Sequence, residues 1–238
     1  MPYRKQQFLN DEIYHIILRA LDDNLLFKDV DDYYRGIFSI YEFNTDIPVK
    51  IRERRRIRAQ LKKDDQKEIT VLHDPRHKLV EVLSFCFMPN HLHLLLKQII
   101  NGGITKFMRK VGTGLGGYFN TKYNRKGHVF QNRFKDVLIR DEDQLKTGFV
   151  YIHTNPIALI EPRWKELGVK KPEKTIEFIE NYKWSSYQDY LGEKNFPSVT
   201  DRDLLSEIMD GVKGCQDSVN DWIRYKGEIR EFSDILLE

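Results

Sequence analysis

The chain has 238 residues, 40% of them hydrophobic and 32% charged, and a net charge of +3. That size supports one well-buried core with a small annex, and so slight a charge says little about partners, so its distribution has to be read instead. No run of about eighteen apolar residues could span a membrane, and Met1 to Lys5 leads into polar residues rather than a signal-peptide core; no membrane partner and a cytoplasmic location are expected.

Glu12 to Leu21 is apolar on both faces, as expected of a central strand. Asp31 to Phe43 sets Tyr34, Ile37, Phe38 and Tyr41 at helical spacing behind an acidic group around Asp29, which predicts a capped helix lying on the sheet. Lys50 to Lys67, within an expected basic insertion over about 48–70, is too polar for core and reads equally as a solvated arm or a phosphate-contacting one. Two apolar runs, Leu79 to Met88 and His91 to Ile99, then meet at Pro89-Asn90, a tight turn between paired strands. Strand side chains alternate, so Leu92, Leu94 and Leu96 enter a core while His91 and His93 share the opposite face. Two imidazoles on one face are half of a divalent-metal site, although two polar residues on a satisfied face give the same pattern. Cys86 and Cys215 are too few and too far apart for a disulfide scaffold and read as ordinary thiols.

Ile104 to Phe119 has the spacing of an amphipathic helix of about five turns. Its Gly112, Gly114, Gly116 and Gly117 predict local bending, or close approach of another backbone or of DNA. Next, Lys122 to Lys135 interleaves cations with Tyr123, His128, Phe130 and Phe134. Cations neutralise phosphates and rings stack on unpaired bases, which makes Arg125, Lys126, His128, Phe130, Arg133 and Lys135 the DNA-binding candidates; a surface loop with buried aromatics is the plainer alternative. A strand from Phe134 to Ile139 follows. Asp141 and Gln144 then form a capping pattern for a helix whose stripe is Leu145, Gly148, Phe149 and Ile152 and which ends before Pro156. On that helix Tyr151 and Asn155 project together, whereas His153 sits about 200° round from Tyr151. Trp184-Ser185-Ser186-Tyr187 and helical segments near Thr200 to Ile208 and Asp217 to Ile229 complete the chain, with no chemistry legible in the tail.

Five stretches stand in order: Glu12-Ile13-Tyr14-His15-Ile16, Met88-Pro89-Asn90-His91-Leu92-His93-Leu94-Leu95-Leu96, Gly127-His128-Val129-Phe130-Gln131-Asn132-Arg133-Phe134, Tyr151-Ile152-His153-Thr154-Asn155-Pro156 and Trp184-Ser185-Ser186-Tyr187. Together they resemble the IS200-like transposase family, and within it the REP-associated tyrosine transposase branch, a group of HUH single-strand DNA nucleases. The resemblance runs from about Glu12 to Tyr190. The order strand, helix, strand pair, helix, strand, helix is compatible with an α+β ferredoxin-like domain, a central antiparallel sheet with helices on one face. The domain is expected over 1–192, with a helical extension over 193–238.

The resemblance implies that Tyr151 is the nucleophile and that a divalent ion, Mg²⁺ or Mn²⁺, is held by His91, His93 and Asn155, the last standing where many members carry glutamine. It also implies cleavage and rejoining of single-stranded or hairpin DNA through a 5′-phosphotyrosine, by a monomer or a homodimer. Two other readings stay open: a hairpin or single-strand binder that no longer cuts, and a metallohydrolase of small phosphoesters. That His91, His93, Tyr151 and Asn155 are all competent side chains favours the enzyme.

Overall fold

The computed structural model describes residues 7–53, 56, 76–131 and 133–225. The expected basic insertion lies outside these apart from 48–53 and 56, as do the last thirteen positions of the C-terminal extension, 226–238.

Four strands form one antiparallel sheet: β1 (Ile13–Arg19), β2 (Val80–Met88), β3 (His91–Gln98) and β4 (Lys135–Ile139), in the order β2-β3-β1-β4. β1 is therefore a central strand, flanked by β3 and β4. Met88 pairs with His91, so Pro89 and Asn90 alone make the hairpin turn. Along β2 the register slips between Val82 and Ser84. This bulge resets the alternation: Val80 and Val82 before it share a core with Phe85 and Phe87 after it, while Leu83, Cys86 and Met88 face the other way.

Helices cover both faces of the sheet, not one as the sequence suggests. On the first face, Tyr14, Ile16 and Leu18 of β1 and Leu92, Leu94 and Leu96 of β3 pack under α1 (Val30–Glu42) and α2 (Gly103–Lys122). On the second, Leu95 and Ile139 meet α3 (Glu142–Thr154) and the helices behind it: α4 (Trp164–Leu167), α5 (Pro172–Glu180), α6 (Tyr187–Tyr190), α7 (Asp203–Ile208) and α8 (Gly211–Tyr225). Leu205, Cys215, Val219 and Ile223 of the tail are fully buried in this second core. The near-continuous apolar composition of β2 is the sequence's sign of a strand buried on both sides.

Two local expectations are corrected. Helix α1 is rolled so that Ile37 and Ile40 face the core while Tyr34 is 43% exposed. Gly36 permits that roll, because a Cβ there would lie 2.3 Å from the Phe87 ring. The start of α1 is fixed by a reciprocal box between Asp29 and Asp32, which also satisfies the first-turn amides. In α2, only Gly114 of the four singled-out glycines is in close approach, and it meets a ring rather than a backbone: its Cβ would stand 2.2 Å from Phe43, whereas Gly112 and Gly117 have nothing within 4 Å. We expect Gly112→Ala and Gly117→Ala each to stabilise the fold by about 0.5–1 kcal/mol through helix propensity. Gly114→Ala should destabilise it by about 1–3 kcal/mol through overpacking. Denaturant midpoints of the three variants check the contrast; equal shifts would contradict the packing.

Candidate active site

The second face of the sheet carries the site. Directly paired residues of antiparallel strands share a face, so the register sets Lys135, Ile17, His93 and Cys86 in one row and Arg19, His91 and Met88 in the next. His15, opposite Leu95, is the diagonal neighbour of His93. Three histidines thus converge from two strands, and His15 and His93 are both fully buried. Their rings stack with centroids 5.2 Å apart, and His91 lies edge-on to His93 at 4.8 Å.

Tyr151 closes this cluster from above. Helix α3 begins at Asp141, whose carboxylate accepts from the Gln144 amide at 2.8 Å, and the Gln144 side chain accepts in return from the Arg140 amide at 2.9 Å. Packed between the sheet and the C-terminal helices, α3 has Leu145 and every residue from Gly148 to Thr154 buried. The Tyr151 ring stands edge-on to His15 at 5.7 Å and to His93 at 5.8 Å. Its hydroxyl accepts from Lys165 Nζ at 3.2 Å. An ammonium can only donate, so the phenolic proton of Tyr151 remains available for another acceptor. Asn155 caps the helix, its amide nitrogen donating to the Tyr151 carbonyl at 2.9 Å, which leaves Oδ1 as the atom it could offer a cation.

The donor set suits a divalent ion. Nδ1 of His91 is 2.6 Å from Asn90 Oδ1, and Nδ1 of His93 is 3.0 Å from His15 Nε2. An amide oxygen accepts, so His91 donates from Nδ1 and offers the Nε2 lone pair. If His93 donates likewise to His15, its Nε2 is also the coordinating atom, with His15 fixing the ring. Burial first, then the charges of His91 and His15, holds the His93 pKa well below its usual 6.5. It is therefore neutral at physiological pH, the form that ligates a metal. Among the described residues no three or more His, Cys, Asp or Glu are placed so that together they could hold a metal ion, so a third ligand would come from outside that set, the Asn155 amide oxygen being a candidate.

An open cleft beside His91 is lined by Arg19, Asn90, Gln131, Lys135 and Leu159. The Lys122 to Lys135 stretch reaches it because Val129 and Gln131 bond to the end of β1, through Leu21 N to Val129 O at 2.8 Å and Gln131 N to Arg19 O at 3.1 Å. Of the DNA-binding candidates, Lys135 lines the cleft, Arg125, Lys126, His128 and Arg133 are exposed, and Phe130 is half-buried against the first core. Lys122 and Tyr123 are engaged with the α1 cap: Lys122 contacts Asp29 and Asp32 at 2.7 Å, and Tyr123 donates to Asp32 at 2.6 Å.

Comparison with known families supplies the decisive observation: the family described as "Transposase IS200 like" matches residues 39–155, which include His91, His93, Tyr151 and Asn155. Over that stretch the chain matches the IS200-like transposase family. A solved structure, "Structure of the REP associates tyrosine transposase bound to a REP hairpin", is similar with a TM-score of 0.48 and 13% identity, covering 86% of this chain and 93% of that one. No curated protein matches. No helix among the described residues is long and apolar enough to cross a membrane.

Two neighbours of Tyr151 lie outside the matched stretch and were not singled out from the sequence: His15, in the first strand, and Lys165, fourteen residues after Tyr151 in the short helix α4. His15 could have been found by asking why a central strand carries an imidazole on the His93 face. Lys165 gave no signal apart from its neighbours.

His153 is turned to the other side of α3. Fully buried, it bonds Ser186 Oγ at 2.9 Å and packs among Phe149, Tyr187 and Tyr190. Ser186 is held in turn by an extra strand-like contact to β2, Ser186 N to Phe85 O at 3.0 Å, which makes the Trp184 to Tyr187 stretch an anchor for the second core. Burial lowers the His153 pKa from 6.5 to about 3. Between those values the unfolded chain binds a proton that the folded chain refuses, so this residue's effect is absent above pH 6.5 and destabilises the fold progressively as pH falls from 6.5 towards 3. We expect the denaturant midpoint to drop from pH 7.5 to about 4.5, and to drop less in His153→Gln; an equal drop would remove His153 from the account.

Proposed function

We propose that this protein is an IS200-like transposase, a divalent-metal-dependent tyrosine nuclease and strand transferase acting on single-stranded or hairpin DNA, with Tyr151 as nucleophile. The observation that carries the reading is the packing of the Tyr151 ring on His15 and His93 with Lys165 at its hydroxyl. A divalent ion held by Nε2 of His91 and of His93, with Asn155 Oδ1, would supply Lewis-acid polarisation of the scissile phosphate.

The chain's own groups do the rest. Tyr151 Oη attacks phosphorus as its proton passes to solvent, and the bond to the 3′ oxygen breaks with that oxygen taking a proton from solvent, giving a 5′-phosphotyrosine and a free 3′ hydroxyl. Lys165 is the cation beside the oxygen that carries negative charge as its proton leaves before attack and regains it as the leaving group during rejoining. Because the covalent ester conserves the bond, a 3′ hydroxyl reverses the step without ATP. Tyr151 is 1% exposed, so the reading requires the side chains over its hydroxyl to shift when DNA enters by the His91 cleft, with Lys165 Nζ staying within reach of the oxygen on its flexible four-carbon stem. The same burial favours the second reading, a hairpin or single-strand binder that does not cut.

Incubating end-labelled hairpin and single-stranded oligonucleotides with protein and Mn²⁺ or Mg²⁺, then with EDTA, separates the two on a denaturing gel. Cleavage with metal and none with EDTA is the expected result. Tight binding without cleavage under any metal would sink the enzyme and leave the binder.

A further inference from the structure

Beyond the His91 cleft the chain builds a second open groove, lined by Arg163, Trp164, Leu167, Lys170, Lys171 and Lys174 among others. Its four cations are exposed, and none has an acidic partner among the described residues. Two acids beside them are otherwise engaged. Glu161, in the groove wall, accepts from the Lys170 amide at 2.9 Å, the Lys171 amide at 3.4 Å and the Thr175 hydroxyl at 3.3 Å. Glu173 holds Arg224 at 3.2 Å. Trp164, 1% exposed, lines the same groove with an indole N–H that has no hydrogen-bond partner.

The groove adjoins the site. Leu159 lines the His91 cleft and the next residue, Ile160, lines the second groove, and these two apolar side chains are 43% and 44% exposed. Helix α4 joins the second groove to Tyr151: Trp164 and Leu167 line the groove, while Lys165 reaches the Tyr151 hydroxyl. A track of phosphate-neutralising cations with exposed apolar side chains on its rim suits a strand whose bases are unpaired, because a closed duplex offers phosphates but no accessible base faces.

We propose that this groove carries the single-stranded segment flanking the scissile phosphate, its phosphates on Arg163, Lys170, Lys171 and Lys174 and its bases over Leu159, Ile160 and Leu167. The proposal rests on the nuclease reading above.

Its test is a fluorescence titration of a hairpin with and without a single-stranded tail, over a range of salt. The proteins are wild type, a combined variant (Arg163→Ala, Lys170→Ala, Lys171→Ala, Lys174→Ala) and a charge-keeping variant (Arg163→Lys, Lys170→Arg, Lys171→Arg, Lys174→Arg). Removing four phosphate contacts should flatten the slope of log affinity against log salt by about 3 and weaken tailed-hairpin binding by at least about tenfold at physiological salt. Binding of the tailless hairpin should stay the same, and the charge-keeping variant should behave as wild type. An unchanged slope with the tailed hairpin, cleavage intact, overturns the groove and leaves the nuclease standing. If wild type binds neither DNA, the nuclease reading falls and takes the groove with it. All seven substituted or rim positions other than Trp164 are at the surface, so thermal melting of the alanine variant should match wild type.

Discussion

Tyr151→Phe is expected to lower DNA cleavage by at least about 10⁴-fold, since removing a nucleophile leaves only binding and electrostatic assistance. Phenylalanine keeps the ring that packs on His15 and His93 and loses only the oxygen facing Lys165. Folding, DNA binding and metal binding should therefore persist. The measurement is a denaturing gel with end-labelled single-stranded DNA, on which wild type carries label through a 5′ phosphate and the variant does not. Tyr118 and Tyr123, whose hydroxyls donate to Asp32 at 3.0 and 2.6 Å, are the controls. Their phenylalanine variants should lose about 1 kcal/mol of stability from a hydrogen bond and still form the adduct. A protein-linked product from Tyr151→Phe would remove Tyr151 as the nucleophile and with it the central step.

The second large effect concerns the histidines, read by Mn²⁺ binding itself through calorimetry or electron paramagnetic resonance. His91→Ala and His93→Ala each delete one of the two proposed ligands and should abolish measurable binding and cleavage, leaving DNA affinity largely intact because phosphates and bases supply most of it. His15→Ala removes only the group bonded to His93 Nδ1, and a loss of such an orienting partner typically weakens metal affinity by about 10–100-fold. His153→Ala should leave Mn²⁺ affinity where it was, because its ring faces Ser186 on the far side of α3. An effect of His153→Ala equal to that of His93→Ala would contradict this arrangement, and unaltered Mn²⁺ binding in His93→Ala would exclude the pair as the metal site.

Much of this was legible in the sequence because it depends on local periodicity. Alternation along His91 to Leu96 is a property of any extended strand, so His91 and His93 share a face whatever the strand pairs with. Helical spacing put Tyr151 beside Asn155 and His153 away from both, and Pro89-Asn90 could only be a turn. The family match over residues 39–155 spans these same local stretches.

Tertiary structure decided what long-range pairing controls. His15 and His93 are seventy-eight residues apart and meet only because β1 lies antiparallel to β3 in a register that sets Ile17 against His93. A shift of one residue would send His15 to the opposite face. Lys165 reaches Tyr151 only through the path of the turn after Asn155, and no periodicity encodes that path. Which face each helix covers was likewise undetermined: α1 rolled about Gly36, and the tail helices took the site's side of the sheet, because burial of apolar surface rewards the best fit among distant elements and not any local pattern.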